Sequence, residues 1–507
     1  MRAIRRLSEA LTRRPELVLW LIAAYYVLAI ALRVIRSEAL ESDEAEQLFQ
    51  SQFWLMGYGR QPPFYNWLQA GVIQVIGPSV FALSLVKNLL LFLTCVFYGL
   101  AARLLLKDIR LVAIAMIGVI AMPAVSVMAQ RDLTHAIATL FAVALFTYAF
   151  VRTLIRPSLS FYLLTGFAVG IGLIAKYNFV ILPVAAILAI LPEPELRKRL
   201  FDWRLLAALL VTVVICLPHS LWVLSNLNEA TAGTIKAMRE DASGNPVLDR
   251  LSGLGTLILA ILTGGLPILA FFLIAFRRSL ITVWGTETVW TRVLGRTLLL
   301  CLIAVGLIGL SFGATSISEK WLSPFLLLLP LYLCLKLEAA AVDTNLAVPR
   351  LFFPVSALAL GFIVYIAIGN RVGPLIGQYE KENLPAGPFI EQVVTNNGGK
   401  QPAYVIAADP FLAASARIEL PHARILLPTF DQAPPLDTAT KSGPGLMIWQ
   451  IGRKGGDAVL PETLKSYLQA RGIEAKTSSP SAMTVPYLYS GGRAGMTFGY
   501  AWIGAAH

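Results

Sequence analysis

The sequence is poor in charged residues, and this scarcity limits the class of protein. Only 14% of its 507 residues are Asp, Glu, Lys or Arg, whereas 57% are hydrophobic. An average soluble protein has about 25% charged residues, so the composition indicates a polytopic membrane protein. The net charge of +12 comes from basic residues in short loops, with no basic block that resembles a nucleic-acid-binding arm.

Cysteine is also scarce, and the sequence has no low-complexity tract or internal repeat. The four cysteines all lie inside apolar runs, at Cys95, Cys216, Cys301 and Cys334. Their spacing matches neither a disulfide framework nor a metal motif. We therefore expect them to be small, buried hydrophobic side chains.

Long apolar runs fill residues 1–369. A spanning helix needs roughly 20 mainly apolar residues, and by this rule we predict about eleven spans. They are 17–36, 79–100, 111–129, 133–151, 160–175, 177–191, 205–222, 252–276, 297–312, 321–336 and 351–369. Two alternatives remain open. Residues 160–191 could form one broken helix, and, independently, Phe64–Ile76 could dip into the membrane.

The distribution of basic residues predicts the orientation of the spans. The first apolar run is too long for a signal-peptide core and lacks a cleavage site, so we interpret it as an uncleaved span. Basic clusters such as Arg13–Arg14, Arg197–Arg199 and Arg277–Arg278 fall in loops on one side of this assignment. Such loops stay in the cytoplasm. The N-terminus is then cytoplasmic, and an odd number of spans puts the C-terminal part outside.

Residues 370–507 differ in composition from the apolar part. Gly, Pro, Ser and charged residues become frequent, and no apolar run of span length recurs. Short β-type runs occur at 403–407, 424–427, 446–450 and 497–503. Pro461–Arg471 begins with Pro and is followed by Gly, which is typical of a helix. We predict a transmembrane domain over 1–369 and a soluble α/β domain over 370–507.

The first outer loop, residues 37–78, begins with two adjacent carboxylates. Asp43 and Glu44 follow the first span, and Arg60 and the pair Pro62–Pro63 come after an aromatic-rich stretch. Acids beside a bilayer are costly to place and tend to mark function. The alternative is that both are solvated loop acids.

Other isolated polar groups fall on the same predicted side of the membrane. They are Lys87, Arg131, Asp132, His135, Lys176, Tyr177, Lys320 and Trp321. Three of these residues also have a purely structural interpretation. Asp132 could be the N-cap of the next helix, and His135 could lie on a helix face. Lys176 could be an interfacial side chain that reaches water. The stretch 225–250 is either a lid over a site or a solvated loop.

The motif Asp-Glu-Ala at Asp43–Ala45, followed by Pro-Pro-x-x-x-Trp at Pro62–Trp67, resembles the GT-C glycosyltransferases, which use lipid-linked sugars. The bacterial branch that it resembles includes the aminoarabinose transferase of lipid A, the rhizobial galacturonosyl transferases and the protein O-mannosyltransferases. The segments Gly166–Tyr177 and Lys320–Pro324 are similar to segments of these relatives. The resemblance implies a GT-C membrane fold and the transfer of one sugar from a polyprenyl phosphate.

Such a transfer needs a base for the acceptor hydroxyl and cations for the leaving phosphate. Asp43 as the base, with Arg60, Lys176 and Lys320 at the phosphate, meets these needs. Asp132 matches an acidic residue of the family between the third and fourth spans, and is the second catalytic candidate, to orient the acceptor or position Asp43. The predicted substrate-binding residues are Glu44, Arg60, Lys87, Arg131, Lys176, Tyr177, Lys320 and Trp321.

The sequence departs from the family pattern at two places. Relatives often have Glu-Lys or His before the proline pair, where this chain has Arg60-Gln61, and they usually have Tyr where it has Trp321. The missing acid argues against a zinc site like that of the lipid A branch, and the chain has only four histidines. We predict no cofactor and no essential metal, with a divalent metal ion as the alternative.

The sequence thus predicts an inverting glycosyltransferase of the bacterial inner membrane with a periplasmic C-terminal domain. Its predicted partners are a polyprenyl-phosphate sugar donor, membrane lipids and a lipid or glycan acceptor, without nucleic acid. Lipid A or lipopolysaccharide core is the first choice of acceptor, and other envelope glycans or proteins are the second. A secondary transporter and a non-catalytic membrane scaffold are the alternatives from other classes.

Overall fold

The computed structural model describes residues 2–473 and 477–504. The chain divides into two compact units, and each unit takes three separate stretches of it. The first unit comprises Met1–Ala29, Leu55–Tyr65 and Lys87–Ile363. The second unit comprises Ile30–Trp54, Asn66–Val86 and Val364–His507.

Helices account for most of the chain before the C-terminal sheet. In chain order they are α1 (Arg2–Arg13), α2 (Leu17–Arg36), α3 (Ser42–Gln50), α4 (Phe64–Ile76), α5 (Val80–Leu105), α6 (Ile109–Ile120), α7 (Ala129–Asp132), α8 (His135–Ile155), α9 (Leu159–Leu173), α10 (Ile181–Ile190), α11 (Pro194–Arg197), α12 (Arg204–Ser225), α13 (Leu227–Met238), α14 (Pro246–Phe276), α15 (Ser279–Thr282), α16 (Val289–Phe312), α17 (Glu319–Leu326), α18 (Leu328–Ala339) and α19 (Ala347–Val372). A π-helical turn, Ala124–Met128, precedes α7. Single 3-10 turns occur at Tyr177–Val180, Lys198–Phe201 and Val283–Gly285.

Eight helices in the described part of the chain are long and apolar enough to cross a membrane, and a bent pair makes nine. This pair joins Ile109–Ile120 to Ala124–Asp132 at an angle of 57°. Two shorter apolar helices, Leu159–Leu173 and Tyr177–Ile190, lie where two further spans were predicted. Each predicted span therefore coincides with an apolar helix, and the polytopic helical fold is confirmed.

Small residues bring α9 and α12 of the first unit into close contact. A Cβ atom on Gly166 would lie 2.2 Å from the carbonyl oxygen of Ala208, and Gly170 makes a similar close approach to α12. The Thr212 hydroxyl donates a hydrogen bond of 2.9 Å to the Gly166 carbonyl. Small residues let helix backbones approach in lipid, where the hydrophobic effect does not drive association. The glycine-rich segment thus packs two helices, and it fixes the chain that continues to Lys176.

The second unit contains a five-stranded sheet with covering helices. After 3-10 turns at Gly373–Ile376 and Lys381–Asn383, its elements are α20 (Ala386–Asn396), β1 (Tyr404–Ala407), α21 (Pro410–Glu419), β2 (Arg424–Leu426), α22 (Thr438–Ser442), β3 (Gly445–Gly452), α23 (Glu462–Ala470), β4 (Ser481–Pro486) and β5 (Gly495–Ile503). The strand order is β2-β1-β3-β5-β4. β1 pairs in parallel with β2 and β3, whereas β5 is antiparallel to β3 and β4. The α/β fold predicted for the C-terminal part is confirmed.

Four of these strands coincide with the predicted β-type runs, and β4 does not. The residues of β1 are all buried, so its sequence is continuously apolar. β4 is an edge strand in which exposed and partly exposed residues alternate. β4 therefore lacks the continuous apolar run by which the buried strands were recognised, whereas β2, at the opposite edge, is mostly buried.

The N-terminal part of the predicted first outer loop is a structural part of the second unit. Helix α3 packs against α21, and the two share a buried apolar cluster that includes Leu48 and Ala414. Gln52 extends the sheet at its edge, since its side-chain amide donates to the Ile425 carbonyl at 3.3 Å and accepts from the Ile425 N–H at 3.0 Å. The chain leading out of α3 therefore covers strand β2.

Candidate active site

Asp43 is the second residue of α3, and a capping box holds the start of this helix. The Glu41 and Glu44 side chains each accept a hydrogen bond from the other residue's backbone N–H. Acids in the first turn also interact favourably with the helix dipole. Asp43 itself is partly exposed, whereas Glu44 is buried. The fold therefore places the Asp43 carboxylate near the surface of a well-fixed helix start.

Glu44 owes its position to Arg33, which lies near the end of the first span. Arg33 contacts both carboxylate oxygens of Glu44, at 3.0 and 2.6 Å, and donates to the carbonyls of Ser37 and Ala39. Both side chains are at most 7% exposed, which makes this a buried bidentate ion pair. Glu44 thus orders the loop, and its predicted contact with substrate stays a prediction.

Arg60 lies at the tip of a tight turn in the first unit. Tyr58 and Gln61 exchange two backbone hydrogen bonds of 3.2 Å, and Gly59 between them has a φ of 63°. Glycine adopts this left-handed conformation without strain. The N–H of Phe64 then donates to the Ile174 carbonyl at 3.0 Å. Arg60 is exposed, so its guanidinium is available to an anion.

Two aromatic residues of α12 support this turn, and sequence reasoning did not find them. His219 Nδ1 is 2.6 Å from the Met56 carbonyl oxygen, and a carbonyl only accepts, so Nδ1 donates. The His219 ring stacks on Tyr177 and on Trp222. A Cβ atom on Gly57 would lie 2.2 Å from the Trp222 ring. The available signal was a His and a Trp three residues apart within an otherwise apolar span.

Helix α13 lies within the stretch 225–250, which the sequence left open as a lid or a solvated loop. A Cβ atom on Gly233 would lie 3.3 Å from Cδ of Arg60, so the Arg60 side chain rests on this helix. At its end, the Met238 carbonyl accepts a hydrogen bond of 2.8 Å from the Thr315 N–H. α13 therefore contacts both the turn with Arg60 and the chain that continues to Lys320.

The segments that carry Lys176 and Lys320 meet in the first unit. Lys176 Nζ donates to the Lys320 carbonyl at 3.4 Å, and Asn178 Nδ2 donates to the Trp321 carbonyl at 3.0 Å. Lys320 is exposed, whereas Lys176 and Trp321 are partly buried. Two stretches that are 144 residues apart in sequence thus meet, with the Lys176 ammonium against the backbone of Lys320.

The predicted residues on α5 and α7 form another polar group of the first unit. Lys87 and Asn88 are buried, and Gln130 donates to the Asn88 side chain at 3.3 Å. Arg131 and Asp132 follow Gln130 at the end of α7 and are exposed and partly exposed, respectively. The π-helical turn before α7 is of a kind that often occurs at functional sites.

The alternative interpretation of Asp132 as the N-cap of the next helix is wrong. Asp132 is the last residue of α7, and the N-cap of α8 is Thr134. His135 is the first residue of α8, is buried and lies 5.7 Å from the Tyr65 ring. The His135 ring therefore packs beside Tyr65 in the interior of the first unit.

The predicted site residues are distributed over both units. Asp43 and Glu44 belong to the second unit, and the others belong to the first. Within the described residues, 2–473 and 477–504, no group of three or more His, Cys, Asp or Glu side chains is placed to hold a metal ion. The predicted absence of an essential metal or cofactor stays a prediction.

The fold is similar to that of a known class of membrane enzymes. ArnT from Cupriavidus metallidurans, in its crystal structure bound to undecaprenyl phosphate, matches with a TM-score of 0.60 at 14% identity, over 94% of this chain and 97% of that chain. The apo structure of ArnT matches with a TM-score of 0.56. A family model described as dolichyl-phosphate-mannose-protein mannosyltransferase matches residues 60–222. These matches define the fold as a GT-C membrane fold.

Two relatives from Rhizobium johnstonii are similar over nearly the whole chain. The lipopolysaccharide core galacturonosyltransferase RgtA is 42% identical over 98% of this chain and 99% of its own length. The lipopolysaccharide core galacturonosyltransferase RgtB is 40% identical over 98% of this chain and 99% of its own length. The chain belongs to the family of these galacturonosyltransferases and is a glycosyltransferase. The resemblance seen in the first outer loop is confirmed, and the transporter and scaffold alternatives are set aside.

Proposed function

We propose that the protein transfers one galacturonic acid residue from a polyprenyl-phosphate carrier to the lipopolysaccharide core at the periplasmic face of the bacterial inner membrane. The two relatives that are at least 40% identical are lipopolysaccharide core galacturonosyltransferases, which supports galacturonic acid as the sugar and the lipopolysaccharide core as the acceptor. The ArnT structure with undecaprenyl phosphate supports the type of carrier. Other envelope glycans and proteins are the remaining acceptor classes.

The observation that carries this proposal is the meeting of Lys176 and Lys320 in the first unit. The Lys176 ammonium contacts the backbone of Lys320, so this contact brings two positively charged residues to one part of the first unit, where an anion would be attracted. Arg60 adds a planar guanidinium that suits bidentate phosphate binding. A galacturonosyl donor has a second anionic group, the carboxylate of its sugar, and Lys87 and Arg131 supply further positive charge.

In the proposed step, an acceptor hydroxyl oxygen attacks the anomeric carbon of the donor sugar. Asp43 takes the proton of this hydroxyl as the new bond forms. The bond between the anomeric carbon and the phosphate oxygen breaks, and the phosphate leaves with the electron pair. Arg60, Lys176 and Lys320 neutralise the charge that develops on this oxygen, so the leaving group needs no proton.

The remaining predicted residues have supporting roles in this proposal. Asp132 orients the acceptor or helps to position Asp43, and Tyr177 and Trp321 contact the donor next to its phosphate. Glu44 acts through the loop, because its carboxylate is bound by Arg33.

Replacement of Asp43 by Asn tests the proposal. The wild-type protein, Asp43→Asn and the control Glu46→Gln are purified in detergent and given galacturonosyl polyprenyl phosphate with lipopolysaccharide core. We expect Asp43→Asn to lower kcat by about 10²–10⁴-fold. Glu46 lies on the same helix, bonded to Gln50, and Glu46→Gln should keep wild-type activity.

Product analysis in this assay separates the acceptor classes. Mass spectrometry should find a core oligosaccharide that is heavier by one hexuronic acid. A labelled protein or another glycan, with unmodified core, would refute the proposed acceptor. Full activity of Asp43→Asn would refute the proposed base.

The same proposal includes the orientation of the chain and its division into domains. We place the N-terminus in the cytoplasm, the transmembrane domain at 1–369 and the α/β domain at 370–507 in the periplasm. The excess of basic residues in the predicted cytoplasmic loops supports this. Alkaline phosphatase fused after residue 507 should be active. Green fluorescent protein fused at the same position should not fluoresce when the fusion protein is exported through the same pathway. The reverse pattern would refute the orientation.

A further inference from the structure

A lysine from the C-terminal part of the chain contacts the start of the helix that carries Asp43. Lys381 Nζ donates a hydrogen bond of 2.7 Å to the hydroxyl of Ser42. Ser42 is the first residue of α3, directly before Asp43. The two bonded residues are 339 positions apart in sequence, so the contact brings a distant cation to the first turn of α3.

Several contacts fix Lys381 in this place. It begins a 3-10 turn with a capping box between Glu380 and Asn383. Asn383 is buried, and its side chain donates to the Asn370 carbonyl at 2.6 Å. The Lys381 ammonium also lies 5.2 Å from the centroid of the Phe411 ring, on the helix that packs against α3. The ammonium is therefore presented from a well-anchored turn.

The next residue binds the same loop a second time. Glu382 forms an ion pair with Arg36, and its carbonyl accepts a hydrogen bond of 3.0 Å from the Ser37 hydroxyl. Arg36 also pairs with Glu41, the N-cap of α3, at 3.3 Å. The turn Lys381–Asn383 thus contacts the loop on both sides of the point where α3 begins.

A cation at this place does not serve the helix itself. The N-terminus of a helix has a partial positive charge, so a nearby ammonium is electrostatically unfavourable for it. Ser42 is also not the N-cap, which is Glu41, so the hydrogen bond to Ser42 completes no cap. Of the two carboxylates in this turn, Glu44 is bound by Arg33. Because Ser42 directly precedes Asp43, the contact with Lys381 holds the backbone from which the Asp43 side chain extends.

We propose that Lys381 is a positioning residue of the transferase, which fixes the first turn of α3 through Ser42 and so aims the Asp43 carboxylate. The inference rests on the proposed role of Asp43 as the base. A misplacement of about 1 Å can cost about 10²-fold in rate, so one hydrogen bond to the preceding residue is enough to matter. The C-terminal domain is then part of the catalytic apparatus.

A double-mutant cycle tests this inference in the purified full-length protein. Lys381→Met and Ser42→Ala should each lower kcat about 10-fold to 100-fold, with the KM for the polyprenyl-phosphate donor unchanged. The double variant should lose no more than the stronger single variant, because both changes remove the same contact. Lys381→Arg should restore part of the rate, since arginine also donates to a hydroxyl.

Lys465→Met is the matched control. Lys465 is an exposed lysine of the same unit, bonded to Glu462 at 3.1 Å, and its replacement should leave kcat unchanged. Additive losses in the double variant, a silent Ser42→Ala, or a raised donor KM in Lys381→Met would overturn the positioning role. So would a lower Tm of Lys381→Met with kcat unchanged. An active Asp43→Asn in the same assay would instead refute the proposed function.

Discussion

The predicted site residues of the two units are held by different kinds of contact. On the side of Asp43, buried charged groups fix the helix start, through Arg33 with Glu44 and Arg36 with Glu41 and Glu382. On the side of the cations, backbone hydrogen bonds and close packing at glycine fix the chain. There the charged ends of Arg60 and Lys320 stay exposed.

This difference fits the roles proposed for Asp43 as the base and for the cations at the phosphate. A base acts on one proton at one place, so its orientation has to be fixed before substrate binds. The phosphate of a lipid carrier arrives on a flexible chain, and long basic side chains can follow its oxygens. Buried support beneath the Asp43 carboxylate and exposed ends on Arg60 and Lys320 therefore suit the separate roles proposed for them.

The largest effect is expected from removal of the buried ion pair between Arg33 and Glu44. Arg33→Met leaves the Glu44 carboxylate buried without its bidentate partner, which should cost about 3–5 kcal/mol in the free energy of unfolding. Thermal unfolding in detergent measures the loss. Arg5→Met removes an exposed pair with Glu9 and should change stability by less than about 0.5 kcal/mol. Equal effects of the two changes would contradict the structural role of Arg33.

The second test removes the charge of Arg60, one of the exposed cations. Arg60→Met should raise the KM for the donor or lower kcat/KM by about 10-fold to 100-fold, since a charge-assisted hydrogen bond contributes about 1.5–3 kcal/mol. Arg60→Lys keeps the charge and loses the bidentate geometry, so it should lie between Met and wild type. Neither change should alter Tm, because Arg60 is exposed. Wild-type kinetics of Arg60→Met would remove it from the site.

The third test compares two glycines of the turn that carries Arg60. A Cβ atom on Gly57 meets the Trp222 ring at 2.2 Å, so Gly57→Ala has to displace the turn or α12 and should lower kcat/KM. Gly59→Ala meets no atom within 4 Å but requires a φ of 63°, which should cost about 1–2 kcal/mol of local strain. We expect the larger loss of activity from Gly57→Ala. The opposite order would show that close packing does not support the turn.

The smallest expected effect concerns pH and a single carboxyl group of the second unit. Asp409 caps α21 through the N–H groups of Phe411 and Leu412, and burial raises its pKa above the ordinary value of 3.8. A raised pKa in the folded state contributes stability that is complete below pH 3.8 and is lost as the pH rises through the folded value.

Asn also caps helices but does not ionise. Asp409→Asn should therefore stabilise the protein slightly at neutral pH and flatten the dependence of Tm on pH between about pH 4 and 7. Thermal unfolding over this pH range measures the change. A lower Tm of the variant at pH 7 would mean that the ionised carboxylate stabilises the fold.

The spans were predictable because a membrane imposes one length and one composition on them. Helix α23 and the buried strands were also predictable, because their sequence patterns involve only residues close together in the chain. The side-chain partners were not predictable: the Arg33 guanidinium lies in the last turn of a mainly apolar helix, and Lys381 lies in a segment without any motif. Their roles depend on residues 11 and 339 positions away.

The surroundings of the predicted site residues were predictable only in part for the same reason. The Asp-Glu motif indicated Asp43, but no pattern indicated that Glu44 is buried against an arginine while Asp43 stays partly exposed. The interpretation of Asp132 as a cap failed because α7 continues through it and Thr134 lies closer to the next helix. Which member of a polar pair is buried depends on packing that appears only in the folded chain.

The pair of Arg36 with Glu382 has a consequence for the synthesis of the protein. Its two residues are 346 positions apart, so Arg36 leaves the ribosome long before its partner exists. Until the last part of the chain is translated and folded, the loop before α3 lacks the contacts that complete it. A shortened chain that ends before Glu382 would therefore lack the Arg36 partner that completes this loop.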